Sequence, residues 1–160
     1  MQVEKMSAAN VLESCASPWA SNVVLAKKSD DMFRFCVDYR RLNDCKYKDS
    51  FPLPRIDDCL DALGGSTYFS TMDFRSGFWQ VAINERDLDK IVFTTRKSQF
   101  RFKVLSFGLA TSPVVFQRVM SMVLAGLAWK TCIVYIDDIV VVGGTFDEHL
   151  RNVAQVIGIL

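Results

Sequence analysis

Hydrophobic and polar positions along the 160-residue chain follow two different periods. A period of two, the mark of a half-buried strand, runs through "FRFCVDY" (33–39), where Phe33, Phe35 and Val37 alternate with Arg34, Cys36 and Asp38. "NVVLAKK" (22–28) has the same β-branched, strand-like composition. The turn chemistry of "SDD" (29–31) between them predicts a hairpin. "IVFTT" (91–95) and "QFRFKV" (99–104) predict a second hairpin around Lys97–Ser98. "TYFSTMD" (67–73) reads as a buried strand ending on Asp73, and "TCIVYI" (131–136) and "IVVV" (139–142) as strands joined through Asp137–Asp138.

Helical spacing appears in three places. Ile56, Leu60 and Leu63 share a face in "IDDCLDAL" (56–63), and Gly64–Gly65 supplies a C-cap. Val115, Phe116, Val119, Met122 and Val123 recur through 113–128, behind Ser112 as N-cap and Pro113 at the first helical position. "TFDE" (145–148) has the form of a capping box, opening a helix whose Phe146, Leu150, Val153, Ile157 and Leu160 are expected to face inward. Pro52 and Pro54 make 47–55 a loop, and residues 1–18 read as a loosely held arm with a short helix. This order of elements predicts an α+β fold with helices on one face of an antiparallel sheet.

Composition narrows the function little. Half the residues are hydrophobic and 23% are charged, as in an ordinary globular domain. A net charge of +1 gives weak support to a polyanion partner. Five cysteines without a CxxC pair, and a lone histidine far from them (His149), argue against structural zinc. The odd cysteine count and the lack of a signal peptide favour a reducing intracellular compartment. No membrane span is expected, because the best apolar run, 132–142, is interrupted by two aspartates. His149 is placed on the flank of the last helix, without a chemical role.

Those two aspartates are the chemical signal. Adjacent carboxylates about 4 Å apart repel by roughly 4 kcal/mol at an effective dielectric near 20. A tight turn is one reading of Asp137–Asp138, although a two-residue hairpin turn prefers Asn-Gly or Asp-Gly. The other reading takes in Asp73, which ends a second apolar strand in the same manner. Carboxylates converging from strand ends suit magnesium, a hard cation with oxygen ligands. A pair of such ions supports phosphoryl displacement.

Taken in order, "SPWASNVVLAKK" (17–28), "FRFCVDYRRLN" (33–43), "FPLPRIDDCLDAL" (51–63), "YFSTMDFRSGFWQV" (68–81), "FGLATSPVVFQRVM" (107–120), "VYIDDIVV" (134–141) and "TFDEHL" (145–150) resemble the reverse transcriptases of gypsy-type long-terminal-repeat retrotransposons. The resemblance implies a right-hand polymerase palm with partial fingers and no thumb. It makes 1–16 an N-terminal arm, 17–66 and 88–112 fingers, and 67–87 and 113–160 palm. It implies RNA-directed DNA synthesis on a primer 3′-hydroxyl with two Mg²⁺ ions, Mn²⁺ being the alternative.

Asp73, Asp137 and Asp138 then become the catalytic, metal-binding carboxylates, and the Phe74 carbonyl completes the nucleotide metal's shell. Phe78 becomes the steric gate against a 2′-hydroxyl, with a core aromatic as the plainer reading for it and for Trp79. Lys27 and Arg34 clamp the deoxynucleoside triphosphate, or else form a hairpin's solvated face with Lys28. Phe107 and Gly108 line the nucleotide pocket, Tyr135 lies near the primer, and Arg40 and Arg41 read as ion-pair partners. Three residues depart from the family pattern: Asn22, Ser106 and Ser112 replace proline, proline and alanine, which is expected to loosen the fingers strand and the pocket.

The implied partners are an RNA or DNA template-primer and the rest of a Pol polyprotein (thumb, ribonuclease H, integrase), in the cytoplasm, virus-like particles or nucleus. The fingers look trimmed and the chain stops mid-helix, so a fingers–palm fragment is expected. An inactive remnant that keeps only the fold is the alternative.

Overall fold

The computed structural model describes residues 2–27, 31, 33–47 and 49–160, the side chain of Gln2 excepted. In chain order the elements are α1 (Gln2–Ala8), β1 (Leu12–Ser14), β2 (Ser21–Lys27), β3 (Phe33–Asp38), α2 (Arg40–Asp44), α3 (Ile56–Ala62), β4 (Tyr68–Asp73), β5 (Val92–Thr94), β6 (Gln99–Phe102), α4 (Ser112–Val123), β7 (Cys132–Tyr135), β8 (Asp138–Gly143) and α5 (Phe146–Ile159). Short 3-10 turns at Gly77–Gln80 and Glu85–Ile91 lie between β4 and β5. Of the first predicted hairpin, Lys28, Ser29 and Asp30 fall outside the described residues.

The chain divides into two compact units, Met1–Lys48 with Phe78–Ser112, and Asp49–Gly77 with Pro113–Leu160. The chain passes between the units after Lys48, Gly77 and Ser112.

The first unit carries a five-stranded sheet in the order β1-β6-β5-β2-β3. Its core gathers Met6, Leu12, Val37, Tyr39, Ile91, Phe93, Phe102 and Leu109. Phe93 is fully buried, with the rings of Phe35, Phe100 and Phe102 at 5.5, 5.9 and 5.4 Å. The buried Tyr39 hydroxyl donates to the Ile91 carbonyl at 2.9 Å, so the phenol brings no unpaired group into the core. Arg40 forks onto Asp38 at 2.8 and 2.7 Å, which holds that carboxyl down at about 2.

The second unit carries a three-stranded antiparallel sheet, β4-β8-β7. The predicted single antiparallel sheet is therefore two sheets, and one pair, β2 with β5, is parallel. Hydrophobic patterning locates strands but carries no record of which strands pair.

Burial corrects the sequence reading on the helices and on β4. β4 is an edge strand, with Tyr68, Phe69, Thr71 and Asp73 exposed, not a buried one. Ile56 and Leu60 of α3 are 61% and 60% exposed. α5 turns a neighbouring stripe inward from the one predicted: Val156 and His149 are buried and Val153 is half-buried, while Phe146, Leu150, Ile157 and Leu160 are about half exposed.

Three close contacts hold α5 in that rotation. Gly143 lets the helix come so close that a Cβ there would sit 2.7 Å from His149 Cα. His149 Nε2 bonds Ser70 Oγ at 2.8 Å, and Asn152 Nδ2 donates to the Val142 carbonyl at 2.8 Å. His149 is thus a buried packing contact between α5 and β4, not a flank residue. At the N-terminus of α5, Thr145 Oγ1 accepts from the Glu148 amide at 3.3 Å. Glu148 in turn accepts from the Gly144 amide at 3.0 Å, a capping box displaced by one residue.

Helix α4 stops at Val123, short of the predicted 128. Ser112 lies inside it, and its hydroxyl donates to the Ser106 carbonyl at 2.9 Å, a use other than N-capping. Val156→Ala is expected to destabilise the chain by about 2 kcal/mol, whereas Ile157→Ala should stay within about 0.5 kcal/mol; urea unfolding of the two variants checks the rotation of α5.

Candidate metal centre and nucleotide-site residues

Three aspartates meet at one end of the β4-β8-β7 sheet because of strand register. Asp73, the last residue of β4, stands directly opposite Asp138, the first residue of β8. Asp138 is also opposite Tyr135, so the β7–β8 turn consists of Ile136 and Asp137. The turn is therefore not Asp-Asp. Ile136 has φ +55, in the left-handed region that a β-branched side chain avoids. Such a residue costs about 1–3 kcal/mol and persists only where its surroundings hold it. Glycine normally takes this first central position when it alone has positive φ.

Burial pushes the Asp137 carboxyl up from its ordinary range, and the charges of Asp73 and then Asp138 push it further the same way. Its Oδ1 is buried and has no hydrogen-bond partner among the described residues. Over that oxygen lies Gly77, where a Cβ would stand 3.2 Å from Oδ1, 3.1 Å from the Phe116 ring and 2.9 Å from Phe74 Cβ. Among the described residues, no group of three His, Cys, Asp or Glu side chains is arranged to close around a metal ion. The donor chemistry nonetheless fits a hard divalent cation: a desolvated carboxylate oxygen without a proton donor, beside two exposed carboxylates free to turn. Phe74, the residue after Asp73, packs edge-on to Phe116 at 5.7 Å.

The residues assigned to the nucleotide divide differently. Phe78 and Phe107 are brought together, with ring centroids 5.0 Å apart; Phe78 is 6% exposed and Phe107 55%. Gly108 has φ +92, and a Cβ there would lie 3.0 Å from the Val37 carbonyl, so both backbone angle and space demand glycine. Ser106 and Ser112, two of the departures from the family pattern, bond each other through the 2.9 Å hydroxyl-to-carbonyl contact and are both 1% exposed. The bond uses the Ser112 hydroxyl and only the main-chain carbonyl of Ser106, an acceptor that proline also supplies. Lys27 and Arg34 do not share a face: Lys27 is opposite Phe33 and Arg34 opposite Ala26, so the ladder points them to opposite sides. Lys27 Nζ pairs with Asp31 at 2.5 Å.

Sequence reasoning assigned no role to three residues that shape these segments. Gln117 bonds the entry to the turn: its Nε2 donates to the Val134 carbonyl of β7 at 3.2 Å and its Oε1 accepts from the Ile136 amide at 2.6 Å. Asn43 grips the segment around Gly108, donating to the Gly108 carbonyl at 2.8 Å and accepting from the Ala110 amide at 3.0 Å. Gly77 is the third. Gln117 on an otherwise apolar helix face was the one signal available, since a buried amide needs partners.

Comparison with known proteins agrees with the motif order. The family described as Reverse transcriptase (RNA-dependent DNA polymerase) matches residues 26–160. The chain is 36% identical to the retrovirus-related Pol polyprotein from transposon 412 of Drosophila melanogaster, over 98% of this chain and 13% of that protein. It is 31% identical to the corresponding polyprotein of transposon gypsy from the same fly, over 98% of this chain and 16% of the relative. The chain thus spans only a small part of these curated relatives. Among solved structures, the foamy viral protease-reverse transcriptase in complex with RNA/DNA hybrid superposes with a TM-score of 0.86 at 25% identity, covering 99% of this chain and 21% of that one.

Gly77→Ala is expected to destabilise the second unit by about 1–3 kcal/mol through overpacking against Phe74, Phe116 and Asp137; denaturant unfolding measures it. Asp137 has a second consequence. Its raised pKa means that the folded chain holds that proton to higher pH than the unfolded chain, so the stability linked to it is lost as pH rises. Asp137→Asn is therefore expected to raise the melting temperature at neutral pH without divalent ions. The gain should shrink as pH falls towards the ordinary value of 3.8.

Proposed function

The chain belongs to the reverse transcriptase (RNA-dependent DNA polymerase) family, and from that premise we propose that it forms the fingers–palm part of an enzyme that copies RNA into DNA. The observation that carries this reading is Asp73 paired with Asp138 across β4 and β8, beside the buried oxygen of Asp137. In this reading, fingers are drawn from 17–66 and 88–112, and palm from 67–87 and 113–160.

Asp73 and Asp137 would hold two Mg²⁺ ions, or Mn²⁺ in their place, with Asp138 and the Phe74 carbonyl contributing. Bound there, the ions lower the pKa of the primer 3′-hydroxyl and neutralise charge on the transferring phosphate. The chain's own residues do the rest by placement and exclusion. Lys27, released from Asp31, and Arg34 would neutralise the triphosphate. Phe107 and the Gly108 backbone would line the base and sugar, and Phe78, packed on Phe107, would crowd a 2′-hydroxyl. Tyr135, opposite Asp138, would border the primer terminus.

The proposed substrates are deoxynucleoside triphosphates and an RNA or DNA template-primer. Thumb, ribonuclease H and integrase would be supplied by the remainder of a Pol polyprotein. The foamy viral neighbour bound to an RNA/DNA hybrid supports the template assignment. Among the described residues no helix is long and apolar enough to cross a membrane.

The test is primer extension with this span grafted over the matching segment of a full-length Pol relative. Asp73→Asn and Asp137→Asn should each cost at least roughly a hundredfold in rate, the scale on which loss of one electrostatic stabiliser is felt. Extension that survives Asp73→Asn or Asp137→Asn removes the metal roles proposed for that residue. In the same graft, Phe78→Val should raise ribonucleotide incorporation relative to deoxynucleotides; unchanged selectivity takes Phe78 out of the gate.

A further inference from the structure

We propose that neighbouring residues of α4, Phe116 and Gln117, form a positioning device that aims the aspartates on both strands, with Gln117 as its adjustable part. The inference rests on the metal-centre reading above. Gln117 is 2% exposed, so both ends of its amide must be satisfied inside the protein. The Ile136 N–H can only donate and the Val134 carbonyl can only accept, which fixes the amide orientation and engages both ends at the entry to one turn.

The residue it holds is the one that needs holding. Ile136 carries φ +55 and directly precedes Asp137. Left to itself, isoleucine relaxes to negative φ. That relaxation would swing the following residue and its buried Oδ1 away. The 2.6 Å bond from the Ile136 amide to Gln117 Oε1 opposes it.

The anchor is firm. Ser121 Oγ, one turn along α4, donates to the Gln117 carbonyl at 2.8 Å. Phe116 is 2% exposed and packs edge-on to Phe74 at 5.7 Å, the residue that follows Asp73. Consecutive positions on one helix thus each grip the residue next to an aspartate, one on β4 and one on the β7–β8 turn. Simple core filling explains Phe116. It does not explain an amide with one end bonded to the strained residue of the turn and the other to the strand that leads into it.

The test uses the ¹⁵N-labelled chain titrated with Mn²⁺ alone, read as paramagnetic broadening of the Asp73, Asp137 and Asp138 amide signals. Gln117→Met keeps the volume and removes both hydrogen bonds. It should weaken Mn²⁺ affinity roughly five- to tenfold and speed hydrogen exchange at the Ile136 amide. Ile136→Gly, which accepts positive φ without support, should recover most of that affinity in the Gln117→Met background. A packing role gives no such rescue.

Unchanged affinity in Gln117→Met, or a loss that Ile136→Gly does not relieve, overturns the proposal. If Gln117→Met does not fold, Gln117→Asn supplies the same comparison with an amide one methylene short. Asp73→Asn separates the two readings. If it leaves Mn²⁺ binding intact, the metal centre itself is wrong; if it abolishes binding while the Gln117 variants do not, only the positioning role fails.

Discussion

The repulsion among three carboxylates at the end of one small sheet is the constraint around which the second unit is built. Asp73 faces Asp138 across a strand pair, and Asp137 sits in the turn beside them with one oxygen shielded from water. Each carboxylate raises the cost of ionising Asp137, and burial adds to it. Among the described residues nothing donates a proton to that shielded oxygen. An arrangement this unfavourable alone is what a binding site for a doubly charged cation requires, because the cation's field turns every one of these terms favourable.

Holding the arrangement takes rigid support, and the support is local. The turn needs positive φ at isoleucine, so it depends on the amide of Gln117; the approach over Asp137 needs no side chain at all, so it depends on Gly77. The sheet beneath is covered by α5, drawn close by Gly143 and pinned through His149 to Ser70. These are short contacts within one compact unit, a suitable base for atoms that must be placed within a fraction of an ångström.

The first unit follows a different logic. The segment around Gly108 is shaped by backbone more than by charge: Gly108 under the Val37 carbonyl, Asn43 bonded to the Gly108 carbonyl and the Ala110 amide, and the Ser106–Ser112 bond behind. The Ser112 hydroxyl bonds the main chain behind that segment through the carbonyl of residue 106, an acceptor that any residue there supplies. The basic residues of the hairpin, by contrast, stand on opposite faces, and one is held by Asp31.

By itself the sequence determined the elements, their order and the identity of the acidic residues, because strand and helix periods and turn chemistry are local properties and the motif order is specific. Only the tertiary structure decided partners and facing. It separated one expected sheet into two, made β2 and β5 parallel, and left β4 on an edge. It also rolled α5 so that Val156 and His149 point inward, where Gly143 leaves room for the backbone of His149 and Ser70 bonds its ring. The strained residue proved to be Ile136 and not an aspartate, since strand register, a long-range property, sets where a turn begins. Gln117 stayed silent in the sequence for the same reason: a buried amide declares its role only through what folding places on either side of it.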